Sequence, residues 1–369
     1  MRVMHIVGAR PNFMKVAPVI RAMSAYPRLF QQVLVHTGQH YDYQMSTLFF
    51  EELHLPKPDH NLEVGSGPHG AQTGKMLAEA EKVMQEEKPD WLFVYGDTNS
   101  ALAGSLAATK LHIRVAHVEA GLRSFDRAMP EEINRIVTDQ VSDLLFTPSQ
   151  DGNDNLEREG IERGKIHLVG NVMIDSLALA IAQAERFAHL RAPGLSELME
   201  RLEGQRYVLV TLHRPSNVDE SSALSKILSA LVAVSKRNQV VFPVHPRTQQ
   251  RMKALGPEQW PDSLHLLEPL GYFDFLALMR KAAVMVTDSG GVQEETTYLG
   301  VPCLTVRPNT ERPITITCGT NRLSPLGGEA LGAAINEALD ARGSGDCKGP
   351  PPLWDGHAAE RIVEVMVGL

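Results

Sequence analysis

One βα turn of the chain reads Val286-Thr287-Asp288-Ser289-Gly290-Gly291-Val292-Gln293-Glu294-Glu295. The apolar run at 282–286 predicts a buried strand, and the residues from Glu294 to Leu299 predict a helix. The glycines let the backbone approach a ligand closely. The free N–H groups of the first helical turn, with the positive end of the helix dipole behind them, favour an anion. The turn therefore predicts either a phosphate-binding cradle or an ordinary capped βα turn.

The acidic residues that follow this turn favour the first of these two interpretations. Glu294 and Glu295 lie at the predicted helix start, and acidic residues in dinucleotide sites accept hydrogen bonds from ribose hydroxyls. A nucleoside diphosphate is therefore the ligand class that the stretch indicates.

Composition excludes several classes of protein. With 369 residues the chain suits two domains, and a net charge of −8 argues against a nucleic-acid partner. No apolar run is long enough to cross a bilayer. The strand-like start, Val3 to Val7, lacks a signal-peptide layout, which predicts a cytoplasmic protein. The few cysteines, Cys303, Cys318 and Cys347, lack metal-ligand spacing and predict a reducing compartment without a zinc site.

Short β-branched runs alternate with helical patterns in both halves of the chain, which predicts α/β architecture with parallel sheets covered on both faces. We expect two doubly wound, Rossmann-like domains flanking a cleft. The first covers residues 1–175 with a C-terminal helix at 356–369, and the second covers 176–355, with a linker near 190–205. The predicted strands are Val3–Val7, Gln32–His36, Trp91–Tyr95, Arg114–Val118, Leu144–Thr147, Ile166–Val169, Tyr207–Thr211, Gln239–Pro243, Leu264–Leu267, Val284–Thr287 and Pro302–Val306.

Polar residues at the strand ends of the first half are candidates for chemistry, because ligands of doubly wound sheets bind there. Arg10 and Lys15 offer cations for a diphosphate or a carboxylate, although a lone Lys15 is as readily a solvated residue. Asp97, Glu119 and Glu131 follow successive strands. The alternative for each of these residues is a purely structural role, either as a helix N-cap or as an acidic residue that interacts with the positive end of a helix dipole. Together, crowded carboxylates raise one another's pKa and can serve as acid and base.

Strand ends of the second half carry histidine and arginine. His213 and Arg214 follow the first strand, and His245 follows the second. With the turn Ser289-Gly290-Gly291, these residues predict a diphosphate site. Phe273 or Phe275 is suited to pack on a base, with core packing as the alternative, and Arg312 belongs to a charged pair after the last strand.

In its motifs the chain closely resembles the non-hydrolysing UDP-N-acetylglucosamine 2-epimerases. The matching stretches run nearly from end to end, and several in this order are highly specific. They are Gly8-Ala9-Arg10-Pro11, Thr37-Gly38-Gln39-His40, Gly96-Asp97-Thr98, His117-Val118-Glu119-Ala120-Gly121-Leu122-Arg123, Pro130-Glu131-Glu132-Ile133-Asn134-Arg135, Val169-Gly170-Asn171, His213-Arg214, His245-Pro246-Arg247, Asp288–Glu295 and Thr310-Glu311-Arg312-Pro313.

This resemblance implies a glycosyltransferase-B-like fold, a homodimer, and no dissociable cofactor or metal. It also implies elimination of UDP across C1 and C2 of the sugar to a glycal, followed by re-addition on the other face. The resemblance places the catalytic acids at Asp97, Glu119 and Glu131. The charge of the leaving UDP is met by Arg10, His213, Arg214 and the N–H groups of Ser289-Gly290. Glu295 matches the ribose ligand, and Lys15 and Arg135 match substrate-site residues.

Three departures from the family pattern stand out. Ala9 and Asn12 replace a Thr and a Glu of the first motif. Ser216 replaces a Glu that in bacterial members helps to hold a second, activating UDP-sugar, which puts such an allosteric site in question. Ile314-Thr315 replaces a Glu-Ala that often follows the Arg-Pro motif, which points to an altered sugar preference such as a modified N-acetylated UDP-sugar.

Overall fold

A computed structural model describes residues 1–38, 55–186, 192–255, 260–324, 327–341 and 349–369. The side chains of Arg10, Pro246, Arg247 and residues 183–186 lie outside this description, as does Cys347. The chain divides into two compact units. The first contains Met1–Ala178 and Pro352–Leu369, and the second contains Leu179–Pro351.

The first unit is built on a parallel sheet of seven strands in the order β3-β2-β1-β4-β5-β6-β7. Its strands pair in parallel along the whole sheet, and the central ones are buried on both faces because helices cover them. The strands are β1 Arg2–Val7, β2 Gln31–His36, β3 His60–Asn61, β4 Trp91–Tyr95, β5 Arg114–Val118, β6 Leu144–Thr147 and β7 Ile166–Leu168.

Helices of the first unit pack their apolar faces on this sheet. A buried cluster from β1, β2, β4 and the helices at 69–87 and 99–110 fills one layer, with Met4, Val35, Ala80, Leu92 and Ala107 among its members. The helices are Arg10–Ser24, His69–Glu87, Asn99–Lys110, Pro130–Val141, Gln150–Arg158 and Ala358–Val367, and the helix Val172–Arg186 begins in this unit and ends in the second.

The second unit repeats the plan with six parallel strands in the order β10-β9-β8-β11-β12-β13. Two apolar clusters cover the two faces of this sheet. Its strands are β8 Tyr207–Thr211, β9 Gln239–Pro243, β10 Leu264–Leu267, β11 Val284–Thr287, β12 Cys303–Thr305 and β13 Asn321–Leu323. Its helices are Leu195–Arg201, Pro215–Val218, Ser221–Ser235, Pro246–Leu255, Tyr272–Lys281, Gly290–Leu299, Ile314–Thr317 and Gly328–Asp340.

The prediction of two doubly wound parallel sheets is confirmed, and all eleven predicted strands are present, within one or two residues of their predicted ends. The edge strands β3 and β13 were not predicted. Both are two or three residues long and mostly polar or exposed, so neither shows an apolar run. The helix Gly328–Asp340 was not predicted either, and the helix Leu195–Arg201 lies in the predicted linker. Within the described ranges no helix combines the length and apolar character needed to span a membrane.

Asp175 fastens the last helix of the chain to the first unit. Its carboxylate accepts hydrogen bonds from the N–H groups of Ala358 (3.1 Å) and Ala359 (2.7 Å), which begin that helix. Nearby, the indole N–H of Trp354 donates to the Pro148 carbonyl at 2.9 Å. The helix packs against Arg10–Ser24, so the last residues of the chain support the helix that carries Lys15.

The pH dependence of unfolding tests this capping carboxylate. Burial raises the pKa of Asp175 from 3.8 to about 6, against the opposing hydrogen bonds from Ala359 and Ala358. Because the pKa of Asp175 is higher in the folded state than in the unfolded state, the protonated side chain stabilises the fold. This contribution is complete below pH ~4 and is lost as the pH rises through about 6. Asp175→Asn removes this titration. Between pH ~4 and ~7.5, we expect the unfolding free energy of the wild type to fall by up to about 3 kcal/mol relative to Asp175→Asn.

Urea denaturation followed by tryptophan fluorescence measures this difference, since Trp354 lies beside the cap. The exposed Asp340 of the second unit supplies the control variant, Asp340→Asn, which removes a surface carboxylate in the same way. A constant offset between Asp175→Asn and the wild type would contradict the assignment.

Candidate active site

The turn after β4 brings a buried ion pair together. Gly96 has φ of 62°, and a Cβ at this position would overlap the Lys15 ammonium and come within 2.8 Å of the Glu119 carboxylate. The glycine is therefore required both by its left-handed backbone and by the space that the pair occupies. Lys15 is buried and forms an ion pair with Glu119. The structure thus excludes the solvated alternative for Lys15.

Glu119 itself holds a strained conformation. Its φ is 70°, in the left-handed region that residues with a Cβ seldom adopt. The N–H groups of Glu119 and Ala120 both donate to the Phe146 carbonyl at 3.0 Å, which fixes the chain at the end of β5. The side chain is buried and points to Lys15, from the first helix. Strain of this kind is maintained at functional sites more often than elsewhere.

Asp97 is tied to the helix Pro130–Val141 through Arg135. The buried Arg135 guanidinium pairs with Asp97 on one side and with Glu132 at 2.6 Å on the other. Asn134 donates to the Asp97 carbonyl at 2.9 Å. The Asp97 side chain keeps 24% of its surface exposed, so it remains reachable by a substrate. We call Lys15, Asp97, Glu119 and Arg135 the acid cluster.

Glu131, the third predicted acid, is exposed in the first turn of the same helix. It precedes Asn134 and Arg135 by three and four residues, so it shares the helix face that meets Asp97. Its neighbour Glu132 was not singled out by the sequence analysis. Glu132 is buried and accepts from the N–H groups of Ser124 and Phe125, each at 2.9 Å. It therefore fixes the loop before this helix while it holds Arg135.

Asp288 organises the candidate site of the second unit. Its fully buried carboxylate accepts from the N–H groups of His213 (3.1 Å) and Arg214 (3.0 Å) and from the Asn217 amide (3.0 Å). Burial alone would raise its pKa, but the hydrogen bonds and charge of His213, with Asn217 and the Arg214 N–H, bring the pKa below its ordinary value. The carboxylate is therefore ionised and orients the chain beyond β8.

His213 and Arg214 are consequently held at the carboxyl edge of the sheet. His213 Nδ1 lies 2.9 Å from Asp288, and 60% of the side chain is exposed. Since Nδ1 is engaged by Asp288, Nε2 is the nitrogen that a ligand can reach. Arg214 Nε donates to the Asp288 carbonyl at 3.1 Å. Sequence reasoning overlooked Asn217, which joins Asp288 to the Val306 carbonyl.

The residues Asp288–Gly291 form the turn between β11 and the helix Gly290–Leu299, and we call them the anion turn. Ser289 is the N-cap residue, half-buried, and its side chain makes no capping bond. The first N–H groups of the helix thus point out of the turn with the helix dipole behind them. A Cβ on Gly290 would lie 2.6 Å from Arg312 Nη1. The glycine therefore allows the turn to pack closely against the Arg312 side chain.

Arg312 lies behind the anion turn, buried between two carboxylates. Its guanidinium pairs with Glu294 at 2.9 Å and with Glu311 at 2.7 Å. Burial opposes ionisation of Glu311, but the charges of Arg312 and Arg307 hold its pKa well below the usual range. Arg312 therefore supports the turn through buried ion pairs. Its predicted direct contact with substrate remains a prediction.

Three further predicted residues occupy the same unit. Glu295 is buried and accepts a hydrogen bond from the Tyr272 hydroxyl at 3.0 Å, which fixes its carboxylate. Phe275 is half-buried and packs partly on the apolar cluster under the sheet. His245 is exposed just after β9. Tyr272 was not predicted as a site residue. It is the first residue of the helix Tyr272–Lys281. Of the first-unit candidates, Arg10 has a side chain beyond the described part of the structure.

The comparisons with known proteins match almost the entire chain. The family model described as UDP-N-acetylglucosamine 2-epimerase matches residues 22–367. The chain belongs to the UDP-N-acetylglucosamine 2-epimerase family. A relative of that name from Methanococcus maripaludis is 42% identical over 98% of this chain and 97% of its own length. A UDP-2,3-diacetamido-2,3-dideoxy-D-glucuronate 2-epimerase from Pseudomonas aeruginosa is 43% identical over the full length of both proteins.

A solved structure of the family extends the likeness to three dimensions. The UDP-GlcNAc 2-epimerase of Methanocaldococcus jannaschii, in complex with UDP-GlcNAc and UDP, superposes on the chain with a TM-score of 0.87 at 42% identity, with full coverage of both chains. The chain therefore has the fold of the UDP-N-acetylglucosamine 2-epimerase family, with two Rossmann-like units of the glycosyltransferase-B type.

In this member of the UDP-N-acetylglucosamine 2-epimerase family, Gly290→Ala tests the anion turn. The added methyl group would meet Arg312 Nη1 at 2.6 Å, so the turn or the buried guanidinium must shift. We expect UDP to bind about 10–100-fold more weakly, by calorimetric titration, because the N–H groups lose their alignment.

Gly332→Ala is the matched control for this substitution. Gly332 lies in the helix Gly328–Asp340 of the same unit, and a Cβ there meets nothing within 4 Å. Its alanine variant should bind UDP as the wild type does and be about 0.5–1 kcal/mol more stable. Equal UDP affinity in the two variants would show that the anion turn does not hold the diphosphate.

Proposed function

We propose that the protein interconverts UDP-GlcNAc and UDP-ManNAc by inverting C2 of the sugar while UDP is eliminated and then returned. The observation that carries this proposal is the acid cluster. In a chain of this family, two carboxylates, Asp97 and Glu119, are each paired with a buried cation at neighbouring strand ends of one sheet. Such pairs can exchange protons with a substrate in a fixed geometry.

The proposed reaction conserves atoms and electrons. A carboxylate removes the C2 proton, the C–H electron pair forms the C1–C2 double bond, and the C1–O bond to UDP breaks with its electrons on the phosphate. In the return step a second acid delivers a proton to C2 from the other face, and UDP oxygen attacks C1. Asp97, Glu119 and Glu131 supply these proton carriers. Lys15 holds the Glu119 side chain and Arg135 holds the Asp97 side chain through ion pairs.

The second unit meets the charge of UDP in this proposal. A diphosphate leaves readily only if its developing charge is matched by preorganised donors. His213 Nε2, Arg214 and the N–H groups of the anion turn provide cationic and dipolar donors that Asp288 holds in place. Glu295, fixed by Tyr272, is suited to accept from a ribose hydroxyl. Retention of UDP between the two steps follows from this arrangement.

A modified UDP-N-acetyl sugar is the second candidate substrate. The relative named for UDP-2,3-diacetamido-2,3-dideoxy-D-glucuronate is as similar to this chain as the relative named for UDP-GlcNAc. The departure at Ile314-Thr315 lies in a short helix directly after Arg312, and Ile316 of this helix is 38% exposed. These observations support a substrate that differs from UDP-GlcNAc in its sugar.

Proton NMR in D2O tests the proposed reaction with each UDP-sugar in turn. The expected result is epimerised product that carries deuterium at C2 and is still attached to UDP. Product with protium at C2 would refute the elimination route, and free N-acetylmannosamine with UDP would show a hydrolysing epimerase. UDP binding without turnover would show a sensing protein. A homodimer and a cytoplasmic location are further parts of the proposal, and sedimentation velocity of the purified chain tests the first.

A further inference from the structure

A buried histidine outside the acid cluster bonds directly to the turn that carries Asp97. His117 lies on β5, two residues before Glu119, and is completely buried. Its Nε2 lies 2.8 Å from the Gly96 carbonyl, and its Nδ1 lies 2.6 Å from Asp139 Oδ1. Gly96 is also held by its own N–H, which donates to the Val118 carbonyl at 2.9 Å. Both polar groups of the Gly96 backbone are thus bonded to β5.

The partners of His117 determine which protons its ring carries. A backbone carbonyl can only accept a hydrogen bond, so Nε2 must donate to Gly96. Asp139 is ionised, because the charges and hydrogen bonds of His117 and Arg123 outweigh the effect of burial and lower its pKa. An ionised carboxylate also only accepts, so Nδ1 must donate as well. Both ring nitrogens are therefore hydrogen-bond donors in this arrangement.

Asp139 joins this histidine to the segment beyond Glu119. Its Oδ2 accepts from the Gly121 N–H at 3.2 Å and pairs with Arg123 at 2.7 Å. Arg123 in turn forms two hydrogen bonds with Glu159, at 2.8 and 2.6 Å. Arg123 and Asp139 are buried, whereas Glu159 keeps 29% of its side-chain surface exposed. Asp139 thus bonds directly to the Gly121 turn and, through His117, to the Gly96 turn.

We propose that His117, held by Asp139, is a positioning residue that sets the geometry of the Asp97 turn for the proton transfers. This inference rests on the proposed function, since it assigns a purpose to His117 within the same site. Gly96 has a left-handed backbone, and Lys15 and Glu119 occupy the space where a Cβ would lie. A hydrogen bond to its carbonyl fixes that conformation, and a displacement of about 1 Å at a reacting group can cost about 100-fold in rate.

Two amide substitutions separate the two hydrogen bonds of His117. The side-chain nitrogen of Asn corresponds to Nδ1, so His117→Asn keeps the bond to Asp139 and loses the bond to Gly96. The side-chain nitrogen of Gln corresponds to Nε2, so His117→Gln keeps the bond to Gly96. We expect kcat to fall about 100-fold in His117→Asn and less than about 10-fold in His117→Gln, with KM within about 3-fold in both.

A merely structural role would lower the folded fraction in both variants without this difference in kcat per folded molecule. His265→Asn, on the edge strand β10 of the second unit, is the control and should retain wild-type kcat. Equal kcat in His117→Asn and His117→Gln, or a change confined to KM, would overturn the proposal.

The state of the ring is tested without substrate or turnover. In protein labelled with 15N-histidine, the His117 signals, assigned by their loss in His117→Asn, should show both nitrogens protonated in the wild type. Asp139→Asn should leave Nδ1 unprotonated. In Asp139→Asn the new amide oxygen accepts from the Gly121 N–H and from Arg123. The amide NH2 group therefore faces the His117 ring. A deprotonated ring nitrogen in the wild type would overturn the assignment. Lack of turnover in the wild type, with both protons present, would instead refute the proposed function alone.

Discussion

Glu119→Gln should lower turnover of the UDP-sugar by at least about 1,000-fold and leave UDP affinity within about 2-fold. The glutamine retains the size of the side chain but cannot accept a proton. It also leaves the buried Lys15 ammonium without its carboxylate partner. Loss of a general acid or base lowers the rate of the reaction by about 100–10,000-fold. An unpaired buried charge lowers the stability of the fold by about 3–5 kcal/mol. We expect UDP affinity to be conserved because His213, Arg214 and the anion turn, which supply most of the predicted UDP contacts, belong to the second unit.

Deuterium incorporation at C2 and calorimetric titration with UDP measure these two effects separately. Glu79→Gln is the matched control, since Glu79 forms an exposed pair with Lys82 in the same unit and such pairs contribute about 0–1 kcal/mol. Turnover within about 10-fold of wild type in Glu119→Gln would remove Glu119 from the set of proton carriers.

The fold was predictable because its central strands are almost uniformly apolar. In β1, β4 and β11 nearly every residue is apolar and buried, and a continuous apolar run of this length is the pattern of a central parallel strand. The edge strands offered no such pattern. In β13 the residues after Asn321 are exposed, so its pairing with β12 depends on its neighbours more than on its own sequence.

The candidate site was predictable in its residue types and only partly in its connections. Asp97, Glu119 and Lys15 were visible as polar residues at strand and helix ends. The ion pair between Lys15 and Glu119 joins residues 104 positions apart, and no local pattern shows such a contact. Similarly, the sequence motif contains Glu131 and Glu132 side by side. Only the helix geometry shows that Glu132 is the partner of Arg135 and that Glu131 is exposed.

Asp288→Asn should weaken UDP binding about 100-fold, more than His213→Ala alone, for which we expect about 10-fold. The Asp288 carboxylate accepts from two backbone N–H groups, the Asn217 amide and the His213 ring. An asparagine has one acceptor oxygen, so its NH2 group must face at least one of these donors. Each buried donor left without a partner costs about 1–3 kcal/mol.

The loss of UDP affinity in Asp288→Asn exceeds that in His213→Ala because Asp288 fixes the backbone on both sides of the site. Its side chain holds the N–H groups of His213 and Arg214, while its own backbone begins the anion turn and accepts from Arg214 Nε. The histidine, the arginine and the turn are therefore displaced together. Asp340→Asn, in an exposed position of the same unit, should retain wild-type UDP affinity in the same calorimetric titration. If Asp288→Asn bound UDP no more weakly than His213→Ala, the contribution of Asp288 would be limited to orienting the histidine ring.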